Sequence, residues 1–251
     1  MFSEISLWKE VLAMRNNVGT IFKKELSSLF NSPVAYITII VFLLINSWFF
    51  ISTFFLINQS DLRQLFNIAP LTFLFFVPAI TMSLVAKEKN DGTLEFLTTM
   101  PISDGEIITG KFLAALSLLG AGLAFTLVHF FTLLIVGNNF DFGALVSGYI
   151  GLLVLGAAYT SIGIFASTIT ENQITAFIVG FLIIFIFFIM DKILIFIPGF
   201  LTSTIQYLSV DYHLSNISKG VIDSRNVVYF ASLISFFLLT SIRILEMRKW
   251  R

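Results

Sequence analysis

Lys87-Glu88-Lys89-Asn90-Asp91-Gly92-Thr93-Leu94-Glu95-Phe96-Leu97-Thr98-Thr99-Met100-Pro101-Ile102-Ser103-Asp104-Gly105-Glu106 is a polar island between two long apolar stretches. It holds five carboxylates and two lysines. A charge at the centre of a bilayer costs roughly 2.5–3.5 kcal/mol on insertion scales, so this segment must lie in water, beside a membrane and not within it. The membrane is required by everything else in the chain. Of 251 residues, 57% are hydrophobic, 12% are charged and 30 are phenylalanine. An average soluble domain carries about twice that charge. Apolar runs longer than about 18 residues on such a background mark an integral membrane protein. The formal net charge is zero, which leaves no electrostatic footprint for nucleic acid, and with no cysteine there is neither disulfide nor thiolate metal site.

Outward from the island, the apolar runs give an all-α, polytopic fold of six spans in a single domain over 1–251. The first runs from about Val34 to Ile57, about 36 Å at 1.5 Å per residue. A short loop, Asn58 to Asn67, leads to the second, Ile68 to Ala86, in which Pro78 is expected to produce a kink. The third starts near Lys111-Phe112 and ends near Val136, before a tight turn at Gly137-Asn138-Asn139-Phe140-Asp141. The fourth, Phe142 to Thr168, is rich in small residues: Ser147/Gly151, Ala157/Ser161 and Gly163/Ser167 are pairs four apart that let another helix approach closely. Glu171-Asn172-Gln173 joins it to the fifth, Ile174 to Ile197. Residues 198–226 form a second polar region, read as short helices that partly dip into the surface. The sixth span is Val227 to Ile242, followed by a basic tail from Arg243.

Residues 1–32 lack the compact apolar centre of a cleavable leader, so the first span is expected to stay as an anchor. Within them Phe22, Leu26, Leu29 and Phe30 share a helical face opposite Lys23, Lys24 and Ser27, the pattern of an amphipathic helix lying in the membrane interface. Asn31-Ser32-Pro33 ends it and opens the first span. With six spans, eleven of the fifteen Lys and Arg residues fall on the side of the termini and the island, and four on the other. The positive-inside rule therefore predicts both termini and the segment 87–110 in the cytoplasm, and 198–226 outside.

Gly105-Glu106-Ile107-Ile108-Thr109-Gly110-Lys111-Phe112 stops one residue short of a phosphate loop: Phe112 stands where a Ser or Thr must ligate magnesium, and no strand precedes it. Ser103-x-x-Glu106 reads instead as a capping box opening the third span, with Lys111 at the membrane interface. In the island, Gly92 supplies a turn and a short helix follows from Thr93 to Thr99, capped by Thr93 or Asp91 and ended before Pro101. Leu94, Phe96, Leu97 and Met100 are expected to form an exposed patch beside Glu88, Asp91 and Glu95. A mere joint needs about five residues, and this surface is suited to docking a partner.

Elsewhere, His129 lies about 10 Å deep in the third span and reads as a neutral, hydrogen-bonded histidine within the bundle. Asp191-Lys192 is read as snorkelling, and Asp211, His213 and Asp223 as a solvated outer surface that fits no metal-ligand spacing. Asn46-Ser47 is the most polar point of the first span and a candidate for a translocation path. The phenylalanine clusters, Phe54-Phe55, Phe73, Phe75-Phe76, Phe130-Phe131 and Phe187-Phe188, are read as mostly lipid-facing filler. There is no Ser/His/Asp arrangement, no paired intramembrane carboxylates and no HExxH, so no catalytic residue and no metal ligand is assigned.

Lys87-Glu88-Lys89-x-x-Gly92-Thr93-Leu94-Glu95-Phe96-Leu97-x-x-x-Pro101-Ile102-Ser103 closely resembles the cytoplasmic segment of type 2 ABC exporter permeases. Lys23-Lys24-Glu25-Leu26 with Ser32-Pro33-Val34-Ala35-Tyr36 looks most like the gliding-motility permeases of the GldF type, and more loosely like the permease of the nitrous-oxide-reductase maturation transporter. The resemblance implies the membrane half of an ATP-driven transporter in the bacterial inner membrane. Two permease chains, identical or related, would pair, and separate ABC ATPase subunits would bind the ATP and magnesium, so this chain itself would hold no cofactor. Glu88, Gly92, Thr93, Leu94, Glu95, Phe96 and Pro101 would form the coupling helix seated in the ATPase. The helix with Phe22, Lys23, Lys24, Leu26 and Phe30 would be the interfacial one. Two other readings compete: a membrane scaffold whose island recruits a cytoplasmic partner, and a membrane enzyme acting on lipid through His129 or the His213 region.

Overall fold

The computed structural model describes residues 17–56, 62–98, 100–136, 142–196, 198–220 and 223–248. Lys9, Arg15, residues 57–61 of the first loop, Thr99, the turn at 137–141 and the last three residues lie outside that description. Among the described residues every regular element is helical. The order is α1 (17–30), α2 (Pro33–Ile51, prolonged by a π-helical turn Ser52–Leu56), α3 (Arg63–Thr81), α4 (Ala86–Asn90), α5 (Thr93–Thr98), α6 (Asp104–Val136) and α7 (Phe142–Ile169). There follow α8 (Gln173–Ile193), α9 (Gly199–Leu208), α10 (Val210–Ser218) and α11 (Ser224–Arg248). Among the described residues, six stretches are long and apolar enough to cross a membrane, in the succession expected: Pro33–Phe54, Arg63–Asn90, Asp104–Ile135, Phe142–Ile169, Gln173–Phe196 and Ser224–Met247.

Local chemistry sets the helix starts. Ser32 caps α2 by accepting from the Val34 N–H, with Pro33 in the first turn where its missing N–H costs nothing. Asn172 caps α8 by accepting from Ile174 N–H at 2.8 Å. The capping box before α6 is closed in both directions: Glu106 Oε2 accepts from Ser103 N–H at 2.6 Å, and Ser103 Oγ accepts from Glu106 N–H at 3.3 Å. The second span departs from its expected start at Ile68. α3 begins five residues earlier because Leu62, Leu65 and Phe66, at helical spacing among Arg63 and Gln64, are all buried. The helix continues through Pro70 and Pro78 and ends at Thr81, and residues 82–85 form the turn into α4.

α7 is the axis of the bundle. It packs against α3, α6, α8, α10 and α11, and 78% of its most apolar window is buried. Its small residues make this possible. A methyl group at Gly156 would lie 2.7 Å from Leu119 Cδ2, and one at Gly163 would lie 2.9 Å from Thr81 Cβ. Of the small pairs of the fourth span, Gly163 is thus used inside this chain at the contact with α3 and Gly151 at the contact with α10. The phenylalanines divide in two, which corrects their reading as lipid filler. Phe42, Phe73 and Phe76 stack in the interior with centroids 5.0–6.3 Å apart, while Phe75 and Phe131 face outward. A six-helix bundle needs bulky apolar filler within as well as without.

At the bundle end away from the polar segment, α10 lays Val210, His213, Leu214 and Ile217 against α7, where Leu214 and Ile217 meet Gly151. His213 is therefore not on a solvated surface. It lies on the apolar face of α10, fully buried, with Nδ1 2.8 Å from Asn226 Oδ1, Nε2 2.9 Å from the Tyr207 carbonyl and its ring stacked on Tyr229 at 4.0 Å. Asp211 pairs with Lys192, whose side chain stays half-exposed. Asp223 accepts from Arg225 N–H at 2.9 Å at the start of α11. With three different sets of partners, these residues do not converge on one site.

Candidate functional site at the polar segment

The island folds as two short helices, α4 and α5, with Gly92 between them at φ +68°. That left-handed conformation suits a residue without Cβ, and nothing crowds the position otherwise. Thr93 Oγ1 donates to the Glu88 carbonyl at 3.3 Å across the turn. Glu95, Met100 and Pro101 are exposed, and Phe96 is 66% exposed. Leu94 corrects the expected patch. It is 1% exposed and belongs to the core of the bundle, because a six-residue helix lying on a bundle has an inner side and Leu94 occupies it. Leu97 is half-buried. The outward apolar surface is Phe96 with Met100.

α4 is fastened to the end of α7. Ser167 Oγ accepts from Val85 N–H at 3.1 Å and Ala86 N–H at 3.0 Å and donates to the Met82 carbonyl at 3.0 Å, so one hydroxyl from another helix caps α4. Lys89 Nζ donates to the Thr168 carbonyl beside it.

α4 is fastened to α1 and α6 by charge. Lys111 Nζ donates to Glu25 Oε1 at 3.0 Å and to the Leu84 carbonyl at 2.6 Å. It also forms an ion pair with Glu88 Oε2 at 2.8 Å. Lys24 Nζ closes the square from the solvent side, 2.9 Å from Glu88 Oε1 and 3.2 Å from Glu25 Oε1. Burial pulls the Lys24 ammonium down, but the hydrogen bond to Glu88 and the Glu25 charge outweigh it and hold the group above its ordinary value. Two ammoniums and two carboxylates sum to zero, which makes so buried a cluster tolerable.

Lys111, expected at the membrane interface, has no exposed side-chain surface at all. Its neighbour Gly110 explains how α1 gets there: a Cβ at 110 would lie 2.8 Å from Ile21 Cβ. The Gly-Lys pair that imitates a phosphate loop is a helix-crossing glycine followed by a buried cation. Along α1 the buried strip is Ile21, Glu25 and Leu29, with Phe22, Leu26 and Phe30 half-buried beside it and Lys23 and Lys24 facing out. Sequence reasoning missed Glu25 and Lys111. The available signal was an acidic residue at four-residue spacing within an apolar strip.

These elements bound a cleft of about 730 Å³ between α1, the start of α2, the end of α3 and α4, with Ser28, Thr38, Ile80, Ser83, Lys87 and Asp91 among its walls. Asn46 and Ser47 do not line it. Asn46 is fully buried, donating to the Phe42 carbonyl at 2.8 Å and to Thr72 Oγ1 at 3.2 Å. Ser47 Oγ is 2.9 Å from His129 Nε2, and His129 Nδ1 is 3.0 Å from the Thr126 carbonyl. A carbonyl only accepts, so Nδ1 carries a proton toward Thr126, and both ring nitrogens have a hydrogen-bond partner.

Residues 19–235 match the family described as ABC-2 family transporter protein. The chain belongs to the ABC-2 transporter family. The match runs from α1 into α11 and takes in the polar segment. No curated protein matches the chain. As an ABC-2 protein with six spans, it is a multi-pass membrane permease of an ABC transporter, the membrane counterpart of an ABC ATPase.

Proposed function

We propose that this ABC-2 chain is the permease subunit of an ATP-driven exporter in a bacterial inner membrane, and that Glu88 to Pro101 is the coupling segment through which a separate ATPase acts on it. ATP and magnesium are held by that ATPase, and this chain performs no chemistry of its own. Both termini and the segment 87–110 face the cytoplasm, and two permease chains pair. The observation that carries the reading is the contrast within α5. Phe96 stands 66% exposed beside exposed Glu95 and Met100, on a helix whose Leu94 is anchored in the core. A loop that only joins two spans gains nothing from holding an aromatic ring out in water on an anchored helix. An aromatic knob with acidic neighbours suits a cleft in a partner, and ATP-driven movement follows if that cleft binds it differently in two states. The process it would serve is gliding motility, by the likeness of Lys23-Lys24-Glu25-Leu26 and Ser32-Pro33-Val34-Ala35-Tyr36 to such permeases.

The test is affinity purification of the full chain from its native membranes. An ATPase with a genuine phosphate loop should co-purify, and its hydrolysis should change when Phe96→Asp or Glu95→Lys is introduced. Retention and hydrolysis indifferent to both substitutions refute coupling through this segment. Leu94→Asp is unsuitable, since it strikes the core.

A further inference from the structure

Two regions that are distant in sequence meet at Lys111 of α6: α1 through Glu25, and the α3–α4 turn with the α4 it leads into, through the Leu84 carbonyl and Glu88. The ammonium supplies a donor or a charge to each. Without it, two carboxylates from separate segments would face one another in a buried site, bridged only by the half-exposed Lys24. Gly110 is a second, independent observation: it removes the side chain that would hold α1 off α6, one residue before the cation that ties α1 down. α4 is in turn capped by Ser167 of α7, and its Lys89 donates to the Thr168 carbonyl, which leaves it little freedom to slide alone.

We infer that Lys111 is a positioning residue that locks α1 to α4, so that a force applied at α5 is delivered to α1, and through Ser32-Pro33 to α2, as one rigid movement. This rests on the coupling reading for its purpose, but the lock itself is a property of the chain. The cluster is net neutral and Lys111 is inaccessible, so salt does not screen it as it screens surface pairs. α1, the polar segment and the ends of α6 and α7 that hold it then move as a single body with two faces, one toward the cleft and one toward the partner.

The chain has no cysteine, so a pair of spin labels can be placed without background. Ser27→Cys on α1 and Asn90→Cys on α4 are both exposed and outside the cluster. Distance distributions are measured by pulsed electron resonance on the full chain in lipid nanodiscs. The parent should give one narrow distance. Lys111→Met should broaden or shift it, Lys111→Arg should keep it narrow, and Glu25→Gln/Lys111→Met, which removes one charge of each sign, keeps the comparison valid if Lys111→Met alone fails to fold. A double variant as narrow as the parent overturns the lock. In the complex with its ATPase, the parent distance should stay narrow with and without trapped ATP, while the double variant should show two distances and weaker stimulation of hydrolysis. If no ATPase binds the parent chain, the coupling reading fails while the nanodisc distances still decide the lock.

Discussion

Gly163→Ala tests the tightest crossing in the bundle. A Cβ at 163 would lie 2.9 Å from Thr81 Cβ and 3.1 Å from Thr81 Cγ2, and closer still to its hydroxyl. All three contacts are to one β-branched side chain, whose hydroxyl already donates to the Val77 carbonyl at 2.9 Å. Rotating Thr81 only exchanges one branch for the other, so α3 or α7 must shift. α8 stands on the same point, since a Cβ on Gly180 would lie 3.7 Å from both Gly163 Cα and Pro78 Cβ, which blocks retreat on that side. Overpacking of this kind costs about 1–3 kcal/mol. For a chain of this size, about 2–4 °C of Tm accompanies each kcal/mol, so the expected loss is roughly 2–12 °C. The assay is thermal unfolding of purified protein in one detergent, with Gly163→Ala, Thr81→Ala and the pair measured as a cycle. Thr81→Ala removes two of the three clashing atoms, so the pair should regain at least half of the Gly163→Ala loss. A Gly163→Ala protein as stable as the parent, or a double variant no better than the sum of the singles, would refute the close-packed crossing.

Lys24→Gln and Lys111→Met should separate sharply in the same assay. Lys24 is half-exposed and its loss should cost no more than about 1 kcal/mol, whereas removing the buried Lys111 strands Glu25 and should cost about 3–5 kcal/mol. Equal losses would show that the cluster is not buried as described. Ser167→Ala should raise hydrogen exchange at residues 85–89 well beyond that of α7, as expected for loss of a cap worth about 0.5–2 kcal/mol, and uniform exchange would contradict the cap. Asn46→Leu should leave Tm unchanged or raise it, because it removes a buried acceptor, Asn46 Oδ1, that has no partner. A large loss of Tm would mean that oxygen is satisfied in the membrane.

The six spans were legible because hydrocarbon imposes one rule on every residue of a span, and runs of apolar side chains report it directly. The capping box at Ser103 and the turn at Gly92 were legible because their chemistry is local. Leu94 was misread because a six-residue helix carries too little periodicity to say which side meets the bundle. Glu25 and Lys111 are 86 residues apart, and no local pattern announces such a pair. His213 was misread by its neighbours: Asp211 and Asp223 made the stretch look wet, while Val210, Leu214 and Ile217 mark the face that decides its burial.

The central place of α7 has a consequence for how the protein is made. Of the helices that enclose it, α3 and α6 precede it in synthesis, whereas α8, α10 and α11 follow. When α7 first enters the bilayer, the surface bearing Gly151, which meets Leu214 and Ile217 of α10, and Phe165, which packs on Phe237 of α11, must wait among lipids or other proteins for partners not yet translated. Helices that mate through small residues gain little from lipid and much from one another, so this interval is where assembly is most exposed to error. Slowing synthesis just after Ile169 should therefore harm this permease more than slowing it after Val136, with the harm seen as degradation of the nascent chain rather than as a permease of altered activity.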